Sequence, residues 1–189
     1  MQVHDAKAAI RWLRANADKY HIDPDRIGVT GGSAGGHLSL LVGLTDSKSN
    51  LEGDGGNPDQ SSRVQAVVNV FGPTDMAACH RTSSVAWIFR LFMGGTPDGT
   101  AETYNAASPI TYVSDDDPPV LTLHGDRDAL VPIAQATTLD ERMKQAGASH
   151  TLMVFEGQGH GFGGEHGKRA MDATWSFFDQ HLKPTNSIE

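Results

Sequence analysis

The feature of this sequence that most constrains its fold is the run Gly31-Gly32-Ser33-Ala34-Gly35-Gly36, a serine with small residues on both sides. The residues before it, 26–30, predict a short buried strand, and the residues after it, 37–44, predict a helix. Strand, abrupt turn and helix are the context in which the G-x-S-x-G pattern forms a nucleophile elbow, a turn that projects the serine hydroxyl above the edge of a sheet. Ser33 is therefore the candidate nucleophile.

The small residues around Ser33 have a physical reason in such a turn. We expect glycine at Gly31 and Gly35 because strand and helix approach so closely there that β-carbons would clash. The helix N-terminus places the Ala34 N–H, a candidate oxyanion donor, beside the hydroxyl, and Gly32 is predicted to contact substrate. A plain glycine-rich turn or a phosphate-binding loop are the alternatives, but no lysine follows and neither common phosphate-loop spacing matches.

The rest of the chain alternates helical patterns with short apolar runs. The predicted elements are a helix over 3–17, the strand and helix of the elbow, strands over 64–71, 120–124 and 151–155, a helix over 132–145, and a closing helix whose apolar face carries Met171, Trp175, Phe178 and Leu182. Short strands separated by helices indicate an α/β fold: a parallel sheet in a three-layer sandwich, with about four core strands and right-handed crossovers. We expect one domain over residues 1–189.

Two segments do not follow this alternation. Residues 45–62 are rich in Ser, Asp, Asn and Gly and predict a long solvated loop rather than a calcium site, because the acidic positions do not match an EF-hand. Residues 74–119 form a long excursion, a candidate lid or insert. Within it, residues 85–93 are the most aromatic stretch of the chain, either a wall of an acyl pocket that includes Trp87 or a short core helix.

Composition excludes several classes of partner. The net charge of -8 argues against nucleic acid or an anionic membrane surface as a partner. The single cysteine, Cys79, allows no intramolecular disulfide. No apolar run has membrane-spanning length and the N-terminus shows no leader pattern, so we expect a cytoplasmic protein, although a start lost with preceding strands would also have removed a leader.

Polar residues that could act together follow three of the predicted strands, where function gathers in parallel sheets. Ser33 follows the first strand, Asp126 and Asp128 follow the third, and His160 follows the fourth. The order Ser, Asp, His is the order of catalytic triads built on G-x-S-x-G elbows. In such a triad the histidine takes the proton of the serine, and the carboxylate fixes the tautomer of the histidine.

The remaining histidines predict no metal site. His124 starts a turn and is expected to have a structural hydrogen-bonding role, and His37 lies inside the elbow helix. Neither an H-E-x-x-H pattern nor a cysteine pair supports zinc. We expect no metal and no cofactor.

Taken together, three ordered segments resemble the α/β-hydrolase superfamily on its carboxylesterase and lipase side, which includes sugar-ester and hormone-sensitive-lipase-like esterases. The segments are 23–27 leading into 31–37, then His124-Gly125-x-x-Asp128-x-x-Val131-Pro132, and Gly159-His160-Gly161-Phe162. The resemblance implies that Asp128 is the triad acid, that Asp126 braces the loop through backbone hydrogen bonds, and that Val131 borders the substrate. It implies a carboxylic-ester hydrolase for small acyl esters, acting through an acyl-Ser33 intermediate.

Two other functions stay open from the sequence alone. A serine peptidase of the prolyl-oligopeptidase type shares the core and the order of the triad. A weak or silent remnant that serves as a binding or assembly module is the alternative outside the enzymes.

The sequence departs from the family pattern at its beginning, because it resembles only the C-terminal two-thirds of such an enzyme. Family members place further strands and an oxyanion loop of the His-Gly-Gly-Gly type before the elbow. We therefore expect a truncated form of the fold with the elbow strand at a sheet edge and only the Ala34 N–H of the usual two oxyanion donors. Either copies of the chain associate through that edge, or the chain is a natural or cloning truncation.

Overall fold

The computed structural model describes residues 2–184 as one parallel sheet with helices on both faces. In chain order its elements are α1 (Gln2–Ala15), α2 (Ala17–Tyr20), β1 (Gly28–Gly32), α3 (Ala34–Leu44), a 3₁₀ turn (Ser47–Ser49), β2 (Ala66–Val70), α4 (Met76–Thr82), α5 (Ala86–Met93), α6 (Ala101–Ala106), a second 3₁₀ turn (Pro109–Tyr112), β3 (Val120–Gly125), α7 (Ala134–Ala146), β4 (His150–Phe155) and α8 (Gly164–Leu182). The predicted α/β class and the four parallel core strands are confirmed.

The sheet has the strand order β1-β2-β3-β4, and because all three pairings are parallel, the carboxyl ends of the strands lie along one edge. Thr30 pairs with Val68, and Val68 pairs in turn with Leu121. Because the order is sequential, β1 pairs within the described residues only with β2 and lies at an edge, as the sequence predicts.

Two apolar layers pack on the two faces of the sheet. On one face, Val67 and Val120 contact a cluster that contains Leu40 of α3 and Leu139 of α7. On the other face, Leu121 and the neighbouring side chains pack against α8. The three-layer sandwich thus follows from the alternation of side chains along each strand.

The closing helix buries only part of the predicted face: Phe178 packs against the sheet, and both Phe178 and Leu182 lie against Gly28. Ala170 and Thr174 of α8 are buried, whereas Met171 and Trp175 are exposed. Met171 and Trp175 each follow one of these buried residues directly, and adjacent residues point about 100° apart around a helix. Small residues at the contact allow a closer approach to the sheet, and this property is invisible to a count of apolar positions.

The long polar loop is attached to α1 by buried cations. Lys7, with no exposed surface, donates to the carbonyl of Thr45 over 2.9 Å and forms an ion pair with Glu52. Arg11 donates to the carbonyl oxygen of Glu52 over 3.0 Å and to its carboxylate over 3.2 Å. These contacts hold the loop in place, since a buried charge without a partner would be costly.

The excursion between β2 and β3 contains helices and no strand. It comprises α4, α5, α6 and the second 3₁₀ turn. The aromatic stretch forms α5, which buries Phe89 and Met93 in a cluster and leaves Trp87 and Leu91 exposed. It is therefore a core helix along one side only.

Candidate active site

Ser33 lies on the sharp turn between β1 and α3 in a strained backbone conformation. Its φ of 55° and ψ of -119° are unusual for a residue with a side chain. Its N–H donates to the carbonyl of Val70 at the end of β2 over 2.9 Å, which holds the turn against the neighbouring strand. The predicted elbow is present.

Of the two elbow glycines that the sequence predicts to be required for steric reasons, the structure requires only one. A β-carbon on Gly31 would lie 2.5 Å from the carbonyl of Gly35, so glycine is required at Gly31. The same expectation is wrong for Gly35, because a β-carbon there would meet no atom within 4 Å. The second required glycine is Gly36, whose β-carbon would lie 2.5 Å from the Oδ1 atom of Asn69.

The edge of the sheet brings the three predicted triad residues together. His160 Nε2 lies 2.8 Å from Ser33 Oγ, and His160 Nδ1 lies 2.6 Å from Asp128 Oδ2. Because an ionised carboxylate only accepts hydrogen bonds, the proton of the neutral imidazole lies on Nδ1, and Nε2 is left as the acceptor for the serine hydroxyl. The imidazole is thus oriented to deprotonate Ser33.

Asp128 is held rigidly under His160. Its side chain is fully buried, and its Oδ1 accepts the N–H groups of Leu130 and Val131, each over 2.9 Å. Both carboxylate oxygens therefore have partners, as a buried charge requires. Asp126 instead points away, and its Oδ1 accepts the N–H of Gly157 over 2.6 Å, a brace between two loops of the kind that the sequence predicts.

Two buried histidines near the site form hydrogen bonds to backbone carbonyls and have structural roles. His124 donates from Nε2 to the carbonyl of Val131 over 2.7 Å, and His37 donates from Nε2 to the carbonyl of Ala107, also over 2.7 Å. Burial lowers the pKa of both imidazoles, against the opposing effect of those carbonyls. Neutral imidazoles in these places fix the loop after β3 and connect α3 to the excursion.

Phe71 is a residue of the site that sequence reasoning missed. It follows β2 directly, has a φ of 43°, and donates its N–H to the carbonyl of Leu123 over 2.8 Å. Its ring lies against the imidazole of His160, with the centroids 4.6 Å apart. The only signal in the sequence was its place at the end of a buried strand, the same edge that carries Ser33.

A mostly apolar cavity of about 310 Å³ opens beside Ser33. It is lined by Gln2, Ser33, Ala34, His37, Leu38, Pro73, Met76, Val85, Ile88, Phe89, Phe92, Leu130, Val131 and His160. Ala34, the predicted oxyanion donor, and Val131, a predicted substrate contact, are among these lining residues. Trp87 and Gly32 do not line the cavity; Ile88 and Phe89, the next residues of α5 after Trp87, do.

A second cavity of about 430 Å³ lies next to the first. The two share Gln2, His37, Leu38 and Phe92. The second extends between α1, α3 and the helices of the excursion towards Leu51 and Ala106. Phe92 thus stands at the junction between the serine and this additional space.

The described residues contain neither a cluster suited to a metal ion nor a membrane-spanning helix. In the range 2–184, no group of three or more His, Cys, Asp or Glu side chains is arranged to hold a metal ion. None of the helices in that range is long and apolar enough to cross a membrane.

A parallel α/β sandwich with serine, aspartate and histidine at the ends of its strands defines the class of α/β-hydrolases. Within that class, the BD-FAE family model matches residues 1–143. The chain belongs to the BD-FAE family.

Several of the known proteins that are similar to the chain are esterases. The esterase LipC of Mycobacterium tuberculosis is 38% identical over 162 residues, which cover 84% of this chain and 40% of LipC. A truncated form of a carbohydrate esterase from gut microbiota has a TM-score of 0.86 and 35% identity, over 97% of this chain and 69% of that one. Esterase 2 of Thermogutta terrifontis, phosphorylated by paraoxon, has a TM-score of 0.74 and 29% identity, over 96% of this chain and 65% of that one. The chain thus spans less than half of the length of LipC.

Proposed function

We propose that this chain hydrolyses carboxylic esters with small acyl groups through an acyl-enzyme on Ser33. The observation that carries the proposal is the continuous pair of hydrogen bonds from Ser33 Oγ through His160 to Asp128, over 2.8 and 2.6 Å. The similarity to esterases supports it.

The proposed reaction starts when Ser33 Oγ attacks the ester carbonyl carbon while His160 Nε2 takes the hydroxyl proton. Asp128 stabilises the resulting imidazolium. The oxyanion accepts a hydrogen bond from the N–H of Ala34, which begins α3 and has no carbonyl four residues before it within the helix.

The tetrahedral intermediate then collapses, and the bond from the carbonyl carbon to the alcohol oxygen breaks. His160 returns the proton to the departing alcohol, and Ser33 is left acylated. A water molecule, deprotonated by His160, attacks the acyl carbon and releases the carboxylic acid and free Ser33. The cavity of about 310 Å³ limits the acyl group to a small apolar one, with Val131 as part of its wall.

Hydrolysis of p-nitrophenyl esters, from acetate to octanoate, tests this function. We expect wild type to be active on the short esters and Ser33→Ala to be inactive. Paraoxon, which phosphorylates the esterase of Thermogutta terrifontis, should modify wild type once and leave Ser33→Ala unmodified. Folded wild type that neither exceeds Ser33→Ala in rate nor reacts with paraoxon would refute the proposal.

We also propose that copies of the chain associate through the free edge of β1. The support is that β1, within the described residues, pairs only with β2 and therefore leaves backbone donors and acceptors unpaired along one side. Thr30 is exposed on this strand, and Thr30→Lys would place repelling charges near the edge. Light scattering should show dimers of wild type and monomers of Thr30→Lys, whereas a monomeric wild type would contradict the proposal.

A further inference from the structure

A row of buried polar side chains crosses the interior of the sheet away from the catalytic triad. Asn69 of β2, Thr122 of β3 and His150 of β4 have no exposed side-chain surface, and they lie among valines and leucines. Polar groups in such surroundings are costly unless they are hydrogen-bonded. Here they bond to one another.

The links run from the turn after β2 to α7. Gly72 N lies 2.9 Å from Asn69 Oδ1, and Asn69 Nδ2 lies 3.4 Å from Thr122 Oγ1, which is the longest link. Thr122 Oγ1 lies 2.9 Å from His150 Nε2. His150 Nδ1 lies 2.8 Å from Asp140 Oδ1, and Asp140 forms an ion pair with Lys144 at the surface.

The chemistry of these groups allows a single direction of donation. The Asp140 carboxylate only accepts, so His150 carries its proton on Nδ1 and accepts at Nε2 from the Thr122 hydroxyl. The Thr122 oxygen then accepts from the Asn69 amide nitrogen, and the Asn69 amide oxygen accepts from the Gly72 N–H. Burial lowers the pKa of His150, against the opposing effect of Asp140, which favours the neutral imidazole that this direction needs.

Asn69 fills the space between the elbow helix and the turn after β2. A β-carbon on Gly36 or on Gly72 would lie 2.5 Å from Asn69 Oδ1. The two glycines therefore allow this amide to touch both segments. The next residue after Asn69, Val70, accepts the Ser33 N–H through its carbonyl.

The turn that Asn69 holds carries two parts of the site. Phe71 places its ring against His160, and Pro73 lines the cavity beside Ser33. Phe71 is strained at φ 43°, so this conformation persists only where neighbours fix the turn. The hydrogen bond from Gly72 to Asn69 is one such restraint.

We propose that Asn69 is a positioning residue for the reaction, held by Thr122, His150 and Asp140, and that it acts on His160 through the Phe71–Pro73 turn. This inference rests on the proposed ester hydrolysis. Thr122 lies inside the sheet and does not line the cavity, so any effect of its hydroxyl on turnover must pass through its neighbours.

The experiment compares Thr122→Val, which replaces the hydroxyl by a methyl group of similar size, with Thr122→Ser, which keeps the hydroxyl. Thr151→Val is the matched control, because Thr151 is exposed on β4 and belongs to no link of the row. Rates are measured with p-nitrophenyl butyrate and divided by the active sites counted with paraoxon, so that misfolded protein does not contribute. We expect Thr122→Val to lose about tenfold in kcat with KM unchanged, since small misplacements of reacting groups cost up to about a hundredfold. Thr122→Ser should recover most of this loss, and Thr151→Val should match wild type.

A second measurement does not depend on turnover. The downfield proton NMR signal of the His160 Nδ1–H reports its hydrogen bond to Asp128, and we expect this signal to move in Thr122→Val but not in Thr151→Val. Wild-type kcat together with an unmoved signal in Thr122→Val would overturn the inference and leave the row a purely structural feature. If Thr122→Val does not fold, Asp140→Ala replaces it, because Asp140 is the partly exposed end of the row. Asp140→Ala should lower kcat less than we expect of Thr122→Val, with KM unchanged. A wild-type kcat in Asp140→Ala would equally overturn the inference. An inactive wild type would refute the proposed function, while the NMR comparison would still decide the role of the row.

Discussion

The ring of Phe71 lies against the imidazole of His160, with centroids 4.6 Å apart and planes inclined by 49°. The Phe71 ring also contacts Phe162 at 5.3 Å, which follows His160 by two residues. His160 is therefore held by Asp128 at Nδ1 and by an aromatic ring at its side. Such contacts restrict the imidazole to the orientation that reaches Ser33.

Two substitutions at Phe71 separate the role of the ring from the strain of the backbone. Phe71→Ala and Phe71→Gly both remove the ring, so each should lower kcat about tenfold while the fold is kept. Only glycine adopts a φ of 43° without strain, so Phe71→Gly should be more stable than Phe71→Ala by about 1 kcal/mol. Urea unfolding and ester kinetics measure the two effects, and an alanine variant as stable as the glycine variant would show that the turn is not strained.

Substitution of Asp128 and of Asp126 by asparagine tests which of the two carboxylates is the triad acid. In serine proteases the corresponding Asp→Asn change lowers kcat about 10⁴-fold, because the histidine takes the wrong tautomer. We expect Asp128→Asn to show a loss of that order. Asp126→Asn should keep activity within about tenfold, since an amide oxygen can still accept the Gly157 N–H. Equal losses in both variants would contradict the assignment of Asp128.

The site was more predictable from the sequence than its surroundings. Ser33, Asp128 and His160 could be placed because each lies in the turn or loop that follows a strand, and the carboxyl ends of parallel strands meet at one edge. A short motif that follows a strand therefore predicts both where its side chains lie in the fold and what chemistry they can perform.

The features that the sequence did not predict depend on which of two adjacent helical residues faces the cavity and on contacts between residues far apart in the chain. Trp87 and Ile88 are neighbours on α5, and only Ile88 lines the cavity, because adjacent helical residues point about 100° apart. The burial of Lys7 depends on Glu52, which is 45 residues away and lies in a loop without periodicity. Composition cannot show which of two faces a helix buries, and it cannot show which distant group neutralises a buried charge.

Alanine substitutions at Gly31 and at Gly35 should change the stability of the protein in opposite directions. Gly31→Ala would place a β-carbon 2.5 Å from the Gly35 backbone, which must move and carry Ser33 with it. We expect it to cost about 1–3 kcal/mol in unfolding free energy and most of the activity. Gly35→Ala meets no neighbour and lies in α3, so it should stabilise the protein by about 0.5–1 kcal/mol. Thermal unfolding of both variants measures this, and a destabilised Gly35→Ala would show that the helix is more crowded than described.

Phe92 should control how long an acyl chain the site accepts. It lines both cavities, so Phe92→Ala would open the space of about 430 Å³ to substrates bound at Ser33. Each additional buried methylene contributes about 0.8 kcal/mol, so burial of about two of the additional methylenes of octanoate should raise the ratio of kcat/KM for octanoate over butyrate about tenfold. Leu91→Ala is the control, because Leu91 is exposed on the same helix and lines neither cavity. A ratio that rises equally in both variants would place the longer chain elsewhere.

Asp117 should make stability depend on pH in the direction opposite to most carboxylates. Burial, together with the charge of Asp116, raises the pKa of Asp117 to about 6, against hydrogen bonds from Ser114 that lower it. The folded carboxyl thus binds its proton more tightly than the unfolded one, and the stability that this adds is fully present below the ordinary pKa of about 3.9 and lost as pH rises through about 6. Asp117→Asn cannot titrate there and keeps an oxygen for the Ser114 N–H, so it should be more stable than wild type at pH 7, by the order of 1 kcal/mol after solvent screening. Urea unfolding of both proteins between about pH 4 and pH 7 should show this difference growing up to about pH 6 and then levelling, whereas a constant difference would mean that Asp117 does not titrate in this range.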